Sequence, residues 1–299
     1  MKARGQQFND RIAVVTGAGT GLGAAIARAL VREGCQVVVV GRRRAKLEET
    51  AKSTIDPSRV HVFAQDLTAD GAVDALLSYC KDRFGKLDIL VNNMAVGHGG
   101  DFAEASVDEI REAVNTNLLA PMLLAHAALP HLELLVNVNS LSGLLPLPGQ
   151  AVYAATKFGM RGFTEALQAE LAKSRVRILS IYPGAIDSEM NSKELRARLA
   201  AKNLDLPPVT SSDGAASQVI RAIRDVDCKA AVVGSRPERA IGWLARRRSP
   251  IINAFLAAMR APVQILMNES IRMVRERRAE SAPPKQLEHA PDVAATKAS

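Results

Sequence analysis

Tyr153-Ala154-Ala155-Thr156-Lys157 opens an alanine-rich helical stretch, and a spacing of four puts the phenol and the ammonium on one helix face. A free phenol titrates near ~10 and carries protons poorly at neutral pH. It becomes useful when a nearby cation stabilises the phenolate, and Lys157 is placed to supply that charge. Ser140 ends the apolar run that precedes this helix and adds a hydroxyl. The chemistry such a set can do is proton transfer to or from an oxygen, the work of a general acid or base at a carbonyl or alcohol. Taken alone, tyrosine and lysine four apart more often mean a surface helix, and Ser142 is the rival hydroxyl if the strand end is slipped.

A second group of residues points to an anionic ligand. Thr16-Gly17-Ala18-Gly19-Thr20-Gly21-Leu22-Gly23 follows an apolar β-branched run and opens a helix. Glycine lets backbone approach a pyrophosphate closely, and a helix N-terminus offers unpaired N–H groups and a favourable dipole. The spacing fits T-G-x-x-x-G-x-G and fails G-x-G-x-x-G. At the end of the next apolar run stand Gly41, Arg42, Arg43 and Arg44, where an NAD site wants a carboxylate for the ribose 2′-hydroxyl. A guanidinium instead binds a 2′-phosphate with paired, charge-assisted hydrogen bonds, so the expected cofactor is NADP(H), held first by Arg42 and second by Arg43.

These residues need a scaffold, and the hydropathy pattern supplies one. Apolar runs at Ile12 to Thr16, Gln36 to Val40, Val60 to Ala64, Leu87 to Asn92, Leu134 to Ser140, Arg177 to Tyr182 and Ala230 to Gly234 alternate with amphipathic helical segments, the first being Leu22 to Glu33 closed by Gly34. Strands without polar alternation, separated by helices, predict an α/β fold with a Rossmann-type doubly wound parallel sheet, in one domain over residues 10–235. Residues 188–210 are polar and helix-prone, a candidate lid beside a strand end.

The chain resembles the short-chain dehydrogenase/reductase family in its glycine motif, in the placing of Ser140 thirteen positions before Tyr153, and in further motifs spread over residues 10–235. The resemblance implies that Tyr153 is the general acid or base, that Ser140 hydrogen-bonds the substrate oxygen, and that Lys157 also holds the nicotinamide ribose, with Tyr153 bordering the cofactor. Asn117, in Asn115-Thr116-Asn117-Leu118, matches the asparagine that holds a relay water, with Asn115 as the competing choice. Asp66 and Leu67 look like the adenine-contacting pair, although Asp66 alone would read as a turn residue. Asn92-Asn93-Met94-Ala95 resembles the family's Asn-Asn-Ala-Gly and places Asn93 at the cofactor, Met94 and Ala95 being departures. Pro183 to Ser188 matches the stretch whose backbone and hydroxyl bind the nicotinamide carboxamide, here Ile186 and Ser188. Asn139 replaces a common serine. The family also implies a dimer or tetramer through the helices bearing Asn117 and Tyr153.

Composition limits the alternatives. The 299 residues are 47% hydrophobic and 23% charged, which suits a folded globular protein with an ordinary core. Three scattered cysteines argue against a disulfide framework, and five histidines without ligand spacing argue against a metal. No run is long enough for a membrane span and the N-terminus is too polar for a signal peptide, so the expected location is cytoplasmic. Of the net charge of +8, residues 236–278 carry +7, from ten arginines against three glutamates. That segment is read as a basic amphipathic helical extension, and residues 279–299 as a disordered tail. Packing of the extension on the protein is preferred over a subunit contact or peripheral contact with an anionic membrane. Nucleic acid is not expected, since aromatic residues are only 4% and no nucleic-acid motif is present. The expected partner is a small carbonyl or alcohol substrate; Leu141, Leu144, Leu145 and Leu147, with the lid, suggest an apolar pocket, although leucines there read as easily as core. The competing function is an NADP-binding sensor or scaffold without turnover.

Overall fold

The computed structural model describes residues 8–97, 99–187 and 209–246, together with 265, 269, 272, 273 and 276. Seven parallel strands form one sheet: β1 (Ile12–Thr16), β2 (Gln36–Gly41), β3 (Val60–Ala64), β4 (Ile89–Asn92), β5 (Leu134–Val138), β6 (Arg177–Pro183) and β7 (Ala230–Val233). Their order across the sheet is β3-β2-β1-β4-β5-β6-β7. The chain winds outward from β1 in one direction and then, from β4, in the other. A crevice therefore opens between the C-terminal ends of β1 and β4, the place where such sheets hold ligands.

The strands are apolar on both sides because both sides are covered. One face packs α1 (Gly21–Arg32), α2 (Arg44–Lys52) and, from late in the chain, α7 (Ser212–Arg224) on Val15, Val37, Val39, Val91 and Val136. The other packs α3 (Ala72–Phe84) and α5 (Ala120–Ala128) on Val14, Val38, Leu90 and Leu135. Neighbouring residues such as Val14 and Val15 point to opposite faces, as the pleat requires. Helix α4 (Val107–Val114) runs into α5 through a widened π turn at Asn115–Leu119, and α6 (Ala151–Glu170) packs beside α4 and that turn.

Strand limits differ from the sequence reading by one residue at the ends of β2, β6 and β7 and by two residues in two places, each of these for a local reason. Leu87 and Asp88 fall outside β4 because the Asp88 carboxylate, rather than a strand carbonyl, accepts the Ile12 N–H at 2.8 Å. Pairing then begins with Ala13 beside Ile89. Asn139 and Ser140 fall beyond β5, since Ser140 leaves the ladder to cap the 3-10 turn Leu141–Gly143, its hydroxyl accepting the Ser142 N–H at 3.1 Å.

A polar chain runs through the middle of the second layer. Asn92 donates to Pro121 O and to Asn137 Oδ1, both at 3.1 Å, and Asn137 donates to Thr164 Oγ1 at 3.0 Å. Thr164 passes its own proton to Met160 O at 2.7 Å. All three side chains are buried, so these bonds fix the lateral register of β4, β5 and α6. Asn137→Ala leaves two buried polar groups short of a partner and is expected to lower stability by about 2–3 kcal/mol in urea unfolding, whereas Ser174→Ala on the exposed rim stays within about 0.5 kcal/mol.

Candidate active site

The glycine-rich turn between β1 and α1 has the conformation its sequence demands. Gly17 and Gly21 have φ of +64° and +56°, a region costly for any residue with a Cβ. Gly23 is needed for a different reason, because a Cβ there would lie 2.3 Å from Gly17 O and 2.4 Å from Asn93 Nδ2. Thr20, at the N-cap of α1, makes no capping hydrogen bond with its side chain, and the first turn carries no acidic residue. Among the described residues the leading N–H groups of α1 have no side-chain cap, which fits a phosphate-bearing cofactor at this end.

Neighbouring strands hold the turn in place. The Thr16 hydroxyl accepts the N–H groups of Asn93 and Met94 at 2.9 and 3.0 Å and donates to Val91 O at 3.3 Å. Asn93 returns the contact through Nδ2 to Thr16 O and Gly17 O at 3.0 and 3.3 Å. Its amide protons are spent on this latch. From the other side, Thr50 donates to Ala18 O at 2.9 Å. Leu22 packs partly buried against the core and Gly19 sits over Lys46.

Arg42 and Arg43 follow β2, both exposed, with Arg43 at the N-cap of α2. Arg42 lies 3.9 Å from Asp66 and 3.8 Å from Glu112, long contacts at 61% side-chain exposure, so its guanidinium is accessible. Asp66 closes an Asx-type turn, accepting from Thr68 N at 3.0 Å and Thr68 Oγ1 at 2.7 Å. Leu67 is buried in the second core layer, which leaves only its backbone for any ligand.

The proton-transfer set assembles at the C-terminal end of β5. Ser140 hydrogen-bonds the Tyr153 hydroxyl, and Lys157 Nζ lies 5.6 Å from the centre of the Tyr153 ring. Lys157 is 2% exposed and donates to Val138 O at 3.2 Å. Burial pushes its pKa down from 10.5 to about 8. Burial of the hydroxyl end pushes the Tyr153 pKa up, opposed by the Ser140 hydrogen bond, while the ring as a whole keeps partial exposure. Ser142 points elsewhere, donating to Gln150 at 2.6 Å.

Asn117 sits in the π turn and is 1% exposed. Its side chain is fully engaged, accepting from Val96 N at 2.8 Å and donating to Val96 O at 3.0 Å and Thr156 Oγ1 at 3.3 Å. It ties the helix kink to the loop after β4 and to the turn of α6 between Tyr153 and Lys157. Widened turns of this kind disturb the normal carbonyl pairing of a helix and are common at functional sites.

Beyond β6, Ile186 is buried and bridges in parallel to Thr210, with Thr210 N donating to Ala185 O and Asp187 N to Thr210 O, both at 3.0 Å. Ser188 and the candidate lid up to residue 208 lie outside the described residues. Helix α8 (Arg236–Arg246) begins the basic extension, and its Ile241, Leu244 and Ala245 pack on Leu141, Leu144, Leu145 and Tyr182. Further along, Glu269 and Met273, four apart, are buried, while Ile265 and Arg272 are exposed. Two contributors escaped the sequence reading. Thr16 was read as the strand end that opens the glycine motif and not as the hydroxyl that holds Asn93 and Met94, and Glu238, whose carboxylate reaches the loop after β6, was counted only as charge.

Comparison with known proteins follows this geometry closely. Residues 11–199 match the short chain dehydrogenase family. An uncharacterized oxidoreductase of Staphylococcus aureus is 36% identical over 190 residues, 62% of this chain and 82% of the relative. Another, from Staphylococcus epidermidis, is 32% identical over 206 residues, 66% of this chain and 89% of the relative. Among solved structures, a 3-ketoacyl-(acyl-carrier-protein) reductase from Brucella melitensis complexed with NADH aligns with a TM-score of 0.67 at 26% identity, covering 78% of this chain and 100% of that one. An alcohol dehydrogenase from the archaeon Thermococcus sibiricus complexed with 5-hydroxy-NADP gives 0.65 at 25% identity, covering 76% of this chain and 97% of that one. One of these holds an NAD-type and the other an NADP-type cofactor, so kinship leaves the choice between them open. With its sheet order, glycine turn and serine, tyrosine and lysine at one strand end, the chain belongs to the short chain dehydrogenase family of oxidoreductases.

Proposed function

We propose that this oxidoreductase uses NADPH to reduce a carbonyl group on a small, largely apolar molecule, with Tyr153 as the proton donor. The observation that carries the reading is the Tyr153 hydroxyl, hydrogen-bonded to Ser140 and backed by a buried lysine cation. When bound, the cofactor supplies the hydride, and the protein supplies orientation and the proton. The uncapped N-terminus of α1 and the turn from Gly17 to Gly23 would hold its pyrophosphate, with Asp66 and the Leu67 backbone beside its adenine.

Ser140 and Tyr153 together present two hydroxyls to a substrate oxygen. Burial raises the phenol's pKa, so it stands protonated beside the substrate oxygen, and release of that proton to an oxygen that gains negative charge depends on a cation at the phenolate. Lys157 then stabilises the phenolate left behind, at a position where little water competes for its charge. The protonated state is restored from solvent. Since the Asn117 side chain is engaged by Val96 and Thr156, its part in such a relay falls to backbone in the π turn. A sensor or scaffold has no physical need for an ammonium buried beside a phenol, which makes turnover the better reading.

The Arg42 guanidinium, accessible between Asp66 and Glu112, is the proposed reader of the 2′-phosphate, with Arg43 second. Gly41 adds no negative charge. Leu141, Leu144, Leu145 and Leu147 pack as core under α8, directly after Ser140, and support an apolar substrate only as the wall behind the site. Val114, Leu119, Leu123 and Phe158 are between 37% and 50% exposed on α4, α5 and α6 and the turn joining the first two, which supports a homo-oligomer formed through these helices.

Two measurements test the assignment. Tyr153→Phe is expected to lower kcat by at least about a hundredfold over a panel of ketones and aldehydes, with the Kd for NADPH unchanged within about threefold. The pair Gly41→Asp and Arg42→Ala is expected to shift the ratio of kcat/KM for NADPH over NADH at least about tenfold toward NADH, by removing a bidentate cation and adding a like charge beside the phosphate. An unchanged ratio places the reader of the phosphate elsewhere.

A further inference from the structure

Helix α8 starts with Ser235-Arg236-Pro237-Glu238, a spacing that ordinarily means a capping box serving the helix alone. Here the glutamate does more. Its Oε2 accepts Ser235 N and Ser235 Oγ, both at 2.7 Å, while Oε1 accepts the backbone N–H of Ala185 at 2.5 Å. One carboxylate therefore joins the helix to the loop between β6 and Ile186. The site is shaped for it. A Cβ on Gly184 would lie 2.2 Å from Oε1, and a Cβ on Gly234, where φ is +153°, would lie 2.5 Å from Oε2. The helix can come this close because Gly242 offers no Cβ to Val232 at 2.7 Å or to Leu141 at 3.0 Å.

We infer that Glu238 is a positioning residue that locks the Gly184–Ile186 backbone in the conformation needed to receive the nicotinamide end of the cofactor. This rests on the oxidoreductase reading above. Around Ala185, Gly184 N donates to Val233 O at 2.8 Å, and beyond Ala185 the chain is held by its pairing with Thr210. A charged acceptor on Ala185 N is the strongest kind of hydrogen bond available to a backbone amide. It comes from residue 238, beyond the stretch 11–199 that matches the family, so this chain's extension completes the site rather than merely following it.

The helix cap and the tether can be separated. Glu238→Asp keeps a carboxylate in the first turn for Ser235 but is one methylene too short for Ala185. Ser235→Ala weakens the cap and leaves the tether. Titration calorimetry on the full chain, with NADPH and with 2′,5′-ADP, reads the nicotinamide and adenosine ends apart. Glu238→Asp is expected to weaken NADPH about tenfold and to leave 2′,5′-ADP within about twofold, while Ser235→Ala lowers Tm without changing that ratio. Gly184→Ala, which displaces the carboxylate without altering residue 238, is expected to give the same selective loss and serves if Glu238→Asp fails to fold. Equal loss of both ligands, or loss of neither, in a folded tether variant overturns the inference while leaving the oxidoreductase reading standing. A wild-type protein that binds neither ligand overturns both.

Discussion

Removing an ammonium group from water is costly, and a lysine at 2% exposure is kept only where surrounding structure forces it. Lys157 has a pKa pushed down to about 8 and only a strand carbonyl, Val138 O, as hydrogen-bond acceptor among the described residues. Against an unfolded value of 10.5, that shift amounts to about 3 kcal/mol of stability forgone at neutral pH. The sign follows from proton binding. Between pH 8 and 10.5 the unfolded chain holds the proton more tightly, so stability is recovered as pH rises through this window and the penalty is complete below it. Everything near Lys157 is arranged around this demand. The register of β4, β5 and α6 is fixed by the chain from Asn92 to Thr164, and the kink at Asn117 is tied to Thr156, the residue beside the lysine.

The cofactor side is built by the opposite device, subtraction of side chains. Gly17 and Gly21 free the backbone to turn, and Gly23 lets the turn close on itself. Thr16 and Asn93 hold that turn from β1 and β4, the two strands that flank the crevice. The cradle thus hangs from the adjacent strands β1 and β4, and Ser140 follows the next strand, β5, facing Tyr153 on α6. The turn Leu141–Gly143, the loop after β6 and α8 come from later segments and are joined to one another by the apolar cluster under α8 and by the Glu238 carboxylate on Ala185 N.

Much of this was legible in the sequence because local rules and global fold agree. Seven apolar runs became the seven strands, and the glycine cluster fell between strand and helix. Ser140, Tyr153 and Lys157 came together because a strand end and a four-residue helical spacing are short-range features. What escaped was set by contacts distant in sequence. Asn93 reads as a cofactor residue, yet its amide is spent on the turn from Thr16, 77 residues away. Leu67 reads as an adenine contact, yet its side chain went into the core. Glu238 is 53 residues from Ala185, and no periodicity links them. The basic extension reads as amphipathic with its apolar face packed on the protein, and in α8 Ile241, Leu244 and Ala245 do pack on the turn after β5 and on β6 and β7.

If the buried lysine is the constraint that shapes this site, its titration must appear in the chemical step. Single-turnover oxidation of bound NADPH by a carbonyl substrate, followed by absorbance from pH 6 to 10, reads that step without product release. The rate is expected to be level below pH 8 and to fall about tenfold per unit above it, as Lys157 loses its proton and the phenolate its counter-charge. In Lys157→Met the rate is expected to be at least about a hundredfold lower with no inflection near pH 8. A wild-type rate that stays level to pH 10, or a Lys157→Met rate close to wild type, contradicts the account.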